Sequence, residues 1–273
     1  LVIDLDDQAN ASLSLGVNRA DELDQAADLD AFQKILNSFK ERAELIDFLC
    51  DCDSSGFGFE RYVKPSQLNT DLGKTKSCKG IVDVIPGSYR TQDAAIRDLV
   101  DPQRLLDTAL EKSGVAQHYD YIIIDTPPSS TDMTKNGLFA AQYLVIPTQL
   151  EYLSAFGVTA RLELVRTINS RSRNKRSILL GIVPMMVNTK ITKTPQLHQI
   201  IRGLLERQIE DIPILSEIHD SQYVKNASYE RKPVLLVSKS KKAKEAAAEF
   251  SNLTDELLDR IKAIETEKGE ENG

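Results

Sequence analysis

Cysteine is scarce in this chain: Cys50, Cys52 and Cys78 are the only three in 273 residues. An odd number in a chain of this length does not make a disulfide framework, and a cytoplasmic setting is the simpler expectation. The Cys50-x-Cys52 pair has no second pair and no histidine near it, which argues against a zinc site. No apolar run reaches the ~18 residues that a membrane-spanning helix needs. No basic, apolar leader opens the sequence either, so no membrane partner is expected. What is present is ordinary for a soluble globular protein: 41% hydrophobic and 27% charged residues, enough to build a full core.

The net charge of −7 hides a gradient along the chain. Residues 1–60 hold fourteen acids against four bases, residues 161–207 ten bases against two acids, and residues 225–244 seven bases against one acid. Basic segments in the second half of an acidic protein suit either local binding of a polyanion or solvated helix faces.

Short runs of Ile, Val and Leu recur at 1–5, 81–85, 121–125, 143–147, 178–183, 212–215 and 234–237. Unbroken apolar runs of this length are how strands buried on both faces of a parallel sheet read. Helical patterns fall between them, at about 28–48, 92–113, 133–141, 155–171, 195–208 and 240–265. The alternation predicts an α/β fold, a doubly wound and mostly parallel sheet flanked by helices. Ligands then belong at the carboxyl edge of the strands. Residues 49–80 break the rhythm with Ser54-Ser55-Gly56, Gly58, Pro65 and Gly73 and read as an irregular insertion. The expected organisation is one domain over 1–265 with a disordered polar tail at 266–273.

Two stretches carry candidate chemistry. In YDYIIIDTPPSS, residues 119–130, a strand of isoleucines delivers Asp125 to the sheet edge, and Thr126, Pro127 and Pro128 stop it. A hydrophobic strand ending in aspartate is the Walker B pattern, able to orient water on Mg²⁺. In IDLDDQANASLSLG, residues 3–16, Asp4 and Asp6 straddle Leu5 at the end of the first strand. Both carboxylates can face the same edge; they can equally cap the helix that follows.

These stretches, with LVIPTQLEYLSAFGV at 144–158 and RKPVLLVSKSKKAKE at 231–245, occur in this order along the chain. Together they resemble the ParA/Soj/MinD family of partition and positioning ATPases, closest to the ParA/Soj branch. The family stretches are VDxDPQxNxTxxLG, YDxIxIDxPPS, IPxxxEYxxxxG and GKPxxxxxxxSKGAxxY. The resemblance runs from residue 1 to about 260 and implies a P-loop NTPase-like fold of the SIMIBI type, with ATP and Mg²⁺ as ligands. It assigns Asp6 to hydrolysis, Asp4 to the neighbourhood of the metal shell, and Asp125 to the metal through water. It places Thr126-Pro127-Pro128 in the second switch turn and Asn188 where the adenine is read.

One part of the family pattern is not found. The deviant phosphate loop KGGxGKT normally lies upstream of the VDxDPQ strand. The only G-K-T here is Gly73-Lys74-Thr75, and the spacing would need glycine where Leu68 stands. The expectation is a family member without its first βα unit, inactive by itself because nothing cradles the phosphates. Removing that strand would also leave two inner sheet edges unpaired.

The resemblance further implies an ATP-dependent homodimer, non-specific DNA binding at the nucleoid, and stimulation by a ParB-like protein. Arg171, Arg173, Lys175, Arg176, Lys190 and Lys193 are the candidate phosphate contacts. Against this, two positions that carry arginine in the family's IPRNVRLSEAPSxGKP stretch are Asp220 and Tyr223 here, with Lys225, Arg231 and Lys232 as nearby cations. Three alternatives compete. A MinD-like membrane ATPase would need a basic amphipathic end, where the sequence has ETEKGEENG. A metabolic relative, nitrogenase-reductase-like or cobyrinate-amidating, is the second; the reductase would need cluster-binding cysteines, and those present all precede the Asp125 strand in irregular sequence. A non-enzymatic binding module is the third.

Overall fold

The computed structural model describes residues 1–17, 26–40, 43–72, 80–88, 101–171, 177–188, 199, 202–203, 212–230, 232–237 and 239–271. The chain divides into two compact units, Leu1–Ala140 and Ala141–Gly273.

The first unit is built on a four-stranded sheet in the order β2-β3-β1-β4. Its strands are β1 (Val2–Asp4), β2 (Lys64–Pro65), β3 (Asp83–Ile85) and β4 (Ile123–Asp125). β1 pairs in parallel with both β3 and β4, and β2 closes one side in antiparallel fashion. Leu1, Ile3 and Leu5 are all buried, so β1 is the apolar spine that its sequence predicts. α1 (Asn10–Ser14) follows β1, and α2 (Leu29–Lys40) and α3 (Leu45–Cys50) come next. α3 contributes Leu45, Ile46, Phe48 and Leu49 to the core, each at most 1% exposed. Its start is fixed by a capping box in which the Glu44 N–H donates to Asp47 Oδ2 at 3.0 Å.

Residues 51–72 hold a 3-10 turn (Asp51–Asp53), β2 and α4 (Leu68–Leu72). Tyr62, 3% exposed, meets Phe48 edge-on with ring centroids 5.3 Å apart, and its hydroxyl donates to Asp51 Oδ2 at 2.7 Å. This irregular stretch therefore supplies part of the core.

α5 (Leu105–Ser113) ends at Gly114, whose φ of 67° gives the left-handed turn that glycine takes at little cost. α6 (Asp132–Ala140) packs beside it. The two are joined by Asn136, which is fully buried and fully partnered. Its Oδ1 accepts from the Leu106 N–H at 2.9 Å, and its Nδ2 donates to the carbonyls of Pro102 at 2.7 Å and Asp132 at 2.9 Å.

The second unit has a three-stranded parallel sheet in the order β5-β6-β7, comprising β5 (Tyr143–Gln149), β6 (Ile178–Val187) and β7 (Ile218–His219). α7 (Tyr152–Arg171) connects β5 to β6. Gly181 of β6 lets the 213–215 segment come close: a Cβ there would stand 2.7 Å from both Pro213 O and Leu215 Cγ. α8 (Gln222–Glu230), α9 (Val234–Val237) and the long α10 (Lys241–Glu271) complete the unit.

The run at 234–237, expected as a strand, is the short helix α9. Pro233 lacks a backbone N–H and its carbonyl accepts from Leu236 at 2.8 Å, which starts a helical turn. Four apolar residues carry too short a period to separate the two states. Most of the helix expected at 195–208 lies outside the described residues. No described helix is long and apolar enough to cross a membrane.

Candidate functional site

The site grows from the register of two strands. β1 and β4 run parallel with Asp4 directly opposite Asp125, so both strands deliver a carboxylate to the same edge. The Leu5 N–H donates to the Asp125 carbonyl at 2.9 Å and holds that register.

Beyond Asp4 the chain turns sharply. Asp4 Oδ1 accepts from the Asp6 N–H at 3.1 Å, and Asp6 Oδ1 accepts from the Gln8 N–H at 3.1 Å. The Ala9 N–H then donates to the Asp6 carbonyl at 3.0 Å, with Ala9 in the left-handed region at φ 51°. Asp4 Oδ2 accepts twice from Ser12, from its N–H at 2.8 Å and from its hydroxyl at 2.7 Å. Asp4 is fully buried and Ser12 is 1% exposed. The Ser12 hydroxyl also accepts from the Gly87 N–H at 3.0 Å, which brings in the segment after β3.

Burial is the first cause pushing the Asp4 carboxyl above its ordinary value; the hydrogen bonds from Ser12 and Asp6 oppose it, and the charge of Asp6 adds to it. Asp125 is open to solvent on one side, yet its carboxyl is also raised. Loss of hydration against the neighbouring turn comes first, then repulsion from Asp4 and Asp6. Three carboxylates that repel one another at a strand edge suit a hard cation with oxygen ligands. Asp4 has both oxygens engaged in hydrogen bonds, which leaves Asp6 and Asp125 to face outward. Among the described residues no group of three or more His, Cys, Asp or Glu side chains is placed to hold a metal ion.

The turn after β4 folds onto α6. The Thr134 hydroxyl donates to the Pro127 carbonyl at 3.3 Å and also to the Ser129 carbonyl. Gly137 makes room for Thr126: a Cβ on Gly137 would lie 2.5 Å from Thr126 Cγ2 and 3.1 Å from Leu5 Cδ1. Thus Asp4, Asp6, Asp125, Thr126, Pro127 and Pro128 gather at one edge of the first unit. Asn188 directly follows β6 in the second unit, and Arg171 is the last residue of α7. Arg173, Lys175, Arg176, Lys190, Lys193 and Arg231 lie outside the described residues. Sequence reasoning passed over Ser12 and Gly87. Ser12 fills the hydroxyl position of VDxDPQxNxTxxLG, a signal that was there to read; nothing in the sequence marks the Gly87 N–H.

A mostly parallel α/β sheet flanked by helices, with aspartates at the carboxyl ends of neighbouring strands, is an architecture of the P-loop NTPase class. A family model described as an AAA domain (AAA_31) matches residues 1–178, and the chain belongs to that family, among its ParA/Soj-type ATPases. It is 26% identical over 238 residues to the sporulation initiation inhibitor protein Soj of Bacillus subtilis (strain 168), covering 86% of this chain and 78% of Soj. Against the chromosome partitioning protein ParA of Caulobacter vibrioides (strain NA1000 / CB15N), identity is 26% over 239 residues, covering 86% and 74%. Among solved structures, apo McdA from Cyanothece superposes with a TM-score of 0.71 at 17% identity, covering 94% of this chain and 86% of McdA. The septum site-determining protein MinD of Pyrococcus horikoshii OT3, complexed with Mg-ADP, gives 0.61 at 18% identity, covering 97% and 84%. At these identities the two structures speak for the fold.

Proposed function

We propose that this chain is the hydrolytic part of an ATP-driven partition or cargo-positioning machine. The observation that carries the reading is the in-register pair Asp4 and Asp125, with Asp6 on the turn just beyond. In this reading Asp6 orients the attacking water, Asp125 holds the water shell of Mg²⁺, and Thr126-Pro127-Pro128 forms the turn that follows the γ-phosphate. The family resemblance assigns the adenine contact to Asn188, which belongs to the second unit. Bound Mg²⁺ would supply charge neutralisation on the phosphates. The water oxygen bonds to the γ-phosphorus as the bond to the β–γ bridging oxygen breaks. ADP leaves with the electron pair, and the water proton ends on the phosphate product. The chain's own part is positioning and electrostatics.

ATP closes a homodimer, the dimer binds DNA without sequence preference through the basic stretch from Arg171 to Lys193, and a ParB-like protein stimulates turnover. The relatives named Soj and ParA support the partition reading, and the likeness to McdA supports the fold it needs. Residues 1–273 hold no KGGxGKT loop, so this polypeptide by itself has no dedicated grip on the phosphates.

One calorimetric and kinetic experiment tests the proposal. Mg·ATP titrated into the polypeptide 1–273 should give no micromolar binding. The gene product, where it carries the KGGxGKT loop, should hydrolyse ATP, and Asp6→Ala in it should stop turnover while the ATP-bound dimer persists. Micromolar binding by 1–273, or undiminished turnover in Asp6→Ala, would overturn it.

A further inference from the structure

The hydrogen bonds around Asp4 converge on a residue outside the carboxylate set. Ser12 spends every polar atom of its side chain on two partners far apart in sequence: its hydroxyl donates to Asp4 Oδ2 at 2.7 Å and accepts from the Gly87 N–H at 3.0 Å. Its own N–H adds a third bond, to Asp4 Oδ2 at 2.8 Å. At 1% exposure no water competes for these bonds. Asp4 is thereby held from one side by α1, and its other oxygen fixes the Asp6 N–H. The segment after β3 presses on the same turn, because a Cβ on Gly87 would meet Asp6 O at 2.8 Å, Ala9 Cβ at 3.1 Å and Asp4 Cγ at 3.1 Å. That segment is anchored in turn by its Pro86 carbonyl, which accepts from the Leu45 N–H at 3.0 Å.

We infer that Ser12 is a positioning residue for Asp6: through Asp4 and the Gly87 N–H it locks the β1–α1 turn at one distance from the strand edge. Asp4 is then the inner half of a latch, buried and committed, and Asp6 the outer half that the latch aims. The inference rests on the proposed role of Asp6 in hydrolysis. A hydrolytic residue displaced by about 1 Å loses on the order of 100-fold in rate, so the latch has room to matter.

The test uses Ser12→Ala, Ser12→Thr, Gly87→Ala and Asp6→Ala in the full-length gene product. It measures kcat and KM for Mg·ATP, equilibrium ATP affinity, thermal stability and amide exchange at Asp6. Ser12→Ala should lower kcat roughly 10- to 100-fold with ATP affinity unchanged, and should speed exchange of the Asp6 amide. Ser12→Thr, which keeps the hydroxyl, should restore most of kcat. Gly87→Ala leaves the hydroxyl in place but pushes on the turn, and should lower kcat in the same way. If Ser12→Ala does not fold, Gly87→Ala carries the test alone. Should Asp6→Ala abolish turnover while Ser12→Ala and Gly87→Ala keep the wild-type kcat, the latch is wrong and the role of Asp6 stands. A Ser12→Ala protein that loses only stability and ATP affinity, with kcat intact, would likewise make Ser12 purely structural. If Asp6→Ala turns over normally, the underlying reading fails and the inference falls with it.

Discussion

At the residue scale, the sharpest consequence comes from three carboxylates sharing one edge. Asp125 and Asp4 are both raised above the ordinary 3.8. A carboxyl raised by folding binds its proton more tightly in the folded state. Its contribution to stability is complete below the ordinary value and is lost as pH rises through the raised value. At neutral pH the charge on Asp125 therefore costs stability. Asp125→Asn in the polypeptide 1–273 should raise Tm at pH 7. Its advantage should shrink as pH falls towards the ordinary carboxylate range, because wild-type Asp125 takes up its proton on the way down. Differential scanning calorimetry from pH 4 to pH 7 would read this, and an equal Tm gap at every pH would refute it. The effect is modest, because Asp125 stays partly in water. The aspartates were legible only in combination: a strand ending in aspartate and a D-L-D at a strand end each have other uses, helix capping among them, and it is their order along the chain that singles them out. The contact that aims them was not. The bond from the Gly87 N–H to Ser12 spans 75 residues and uses a backbone group that no residue type announces.

At the element scale, the edge of β7 shows how the second unit disposes of unpaired backbone groups. An outer strand offers N–H groups that need partners. Here α10 supplies them: Glu256 Oε2 accepts from the Ser216 N–H at 2.8 Å, and Glu249 Oε2 accepts from the His219 N–H at 2.9 Å. Glu249 Oε1 also lies 3.1 Å from His219 Nδ1. The two glutamates are seven apart, so both face the same side of the helix. Hydrogen bonds to a charged acceptor contribute about 1.5–3 kcal/mol. Glu249→Ala, at the half-buried contact, should destabilise by about 1–2 kcal/mol. It should also speed amide exchange at His219, and Glu256→Ala should act more weakly at Ser216. Unchanged exchange at both amides would show that α10 does not hold this edge. α10 was legible because its period repeats, and the first part of β6, 178–183, because it is an unbroken apolar run. β2 and β7, at two residues each, carry no period, and α9 was mistaken for a strand because a single helical turn of Val and Leu reads the same as a buried strand.

At the scale of the whole molecule, the charge gradient decides where a polyanion could bind. The first 60 residues are strongly acidic, so they repel phosphate, and the excess of base begins at residue 161. Within the later half the cations are not equivalent. Lys225 Nζ lies 2.6 Å from Asp220 Oδ1, and Asp220 stands where the family stretch carries an arginine. That pair neutralises the surface on which the resemblance would place a DNA contact. Arg202 is likewise set against Glu217 at 3.7 Å. The stretch SRSRNKR, residues 170–176, begins on the last two residues of α7 and holds four bases and no acid. It is the better candidate for phosphate, and counterion release makes the claim measurable. Each phosphate contact contributes about 0.9 to the slope of log K against log salt. With ATP present, the full-length gene product should bind random-sequence DNA with a steep slope between 50 and 200 mM salt, about the range in which such contacts are read. Replacing Arg171, Arg173, Lys175 and Arg176 by glutamine should flatten that slope by up to about 3.6. Lys225→Gln should leave it nearly unchanged, because that charge is already matched by Asp220. A slope that depends on Lys225 and ignores the four-base stretch would move the DNA surface to α8.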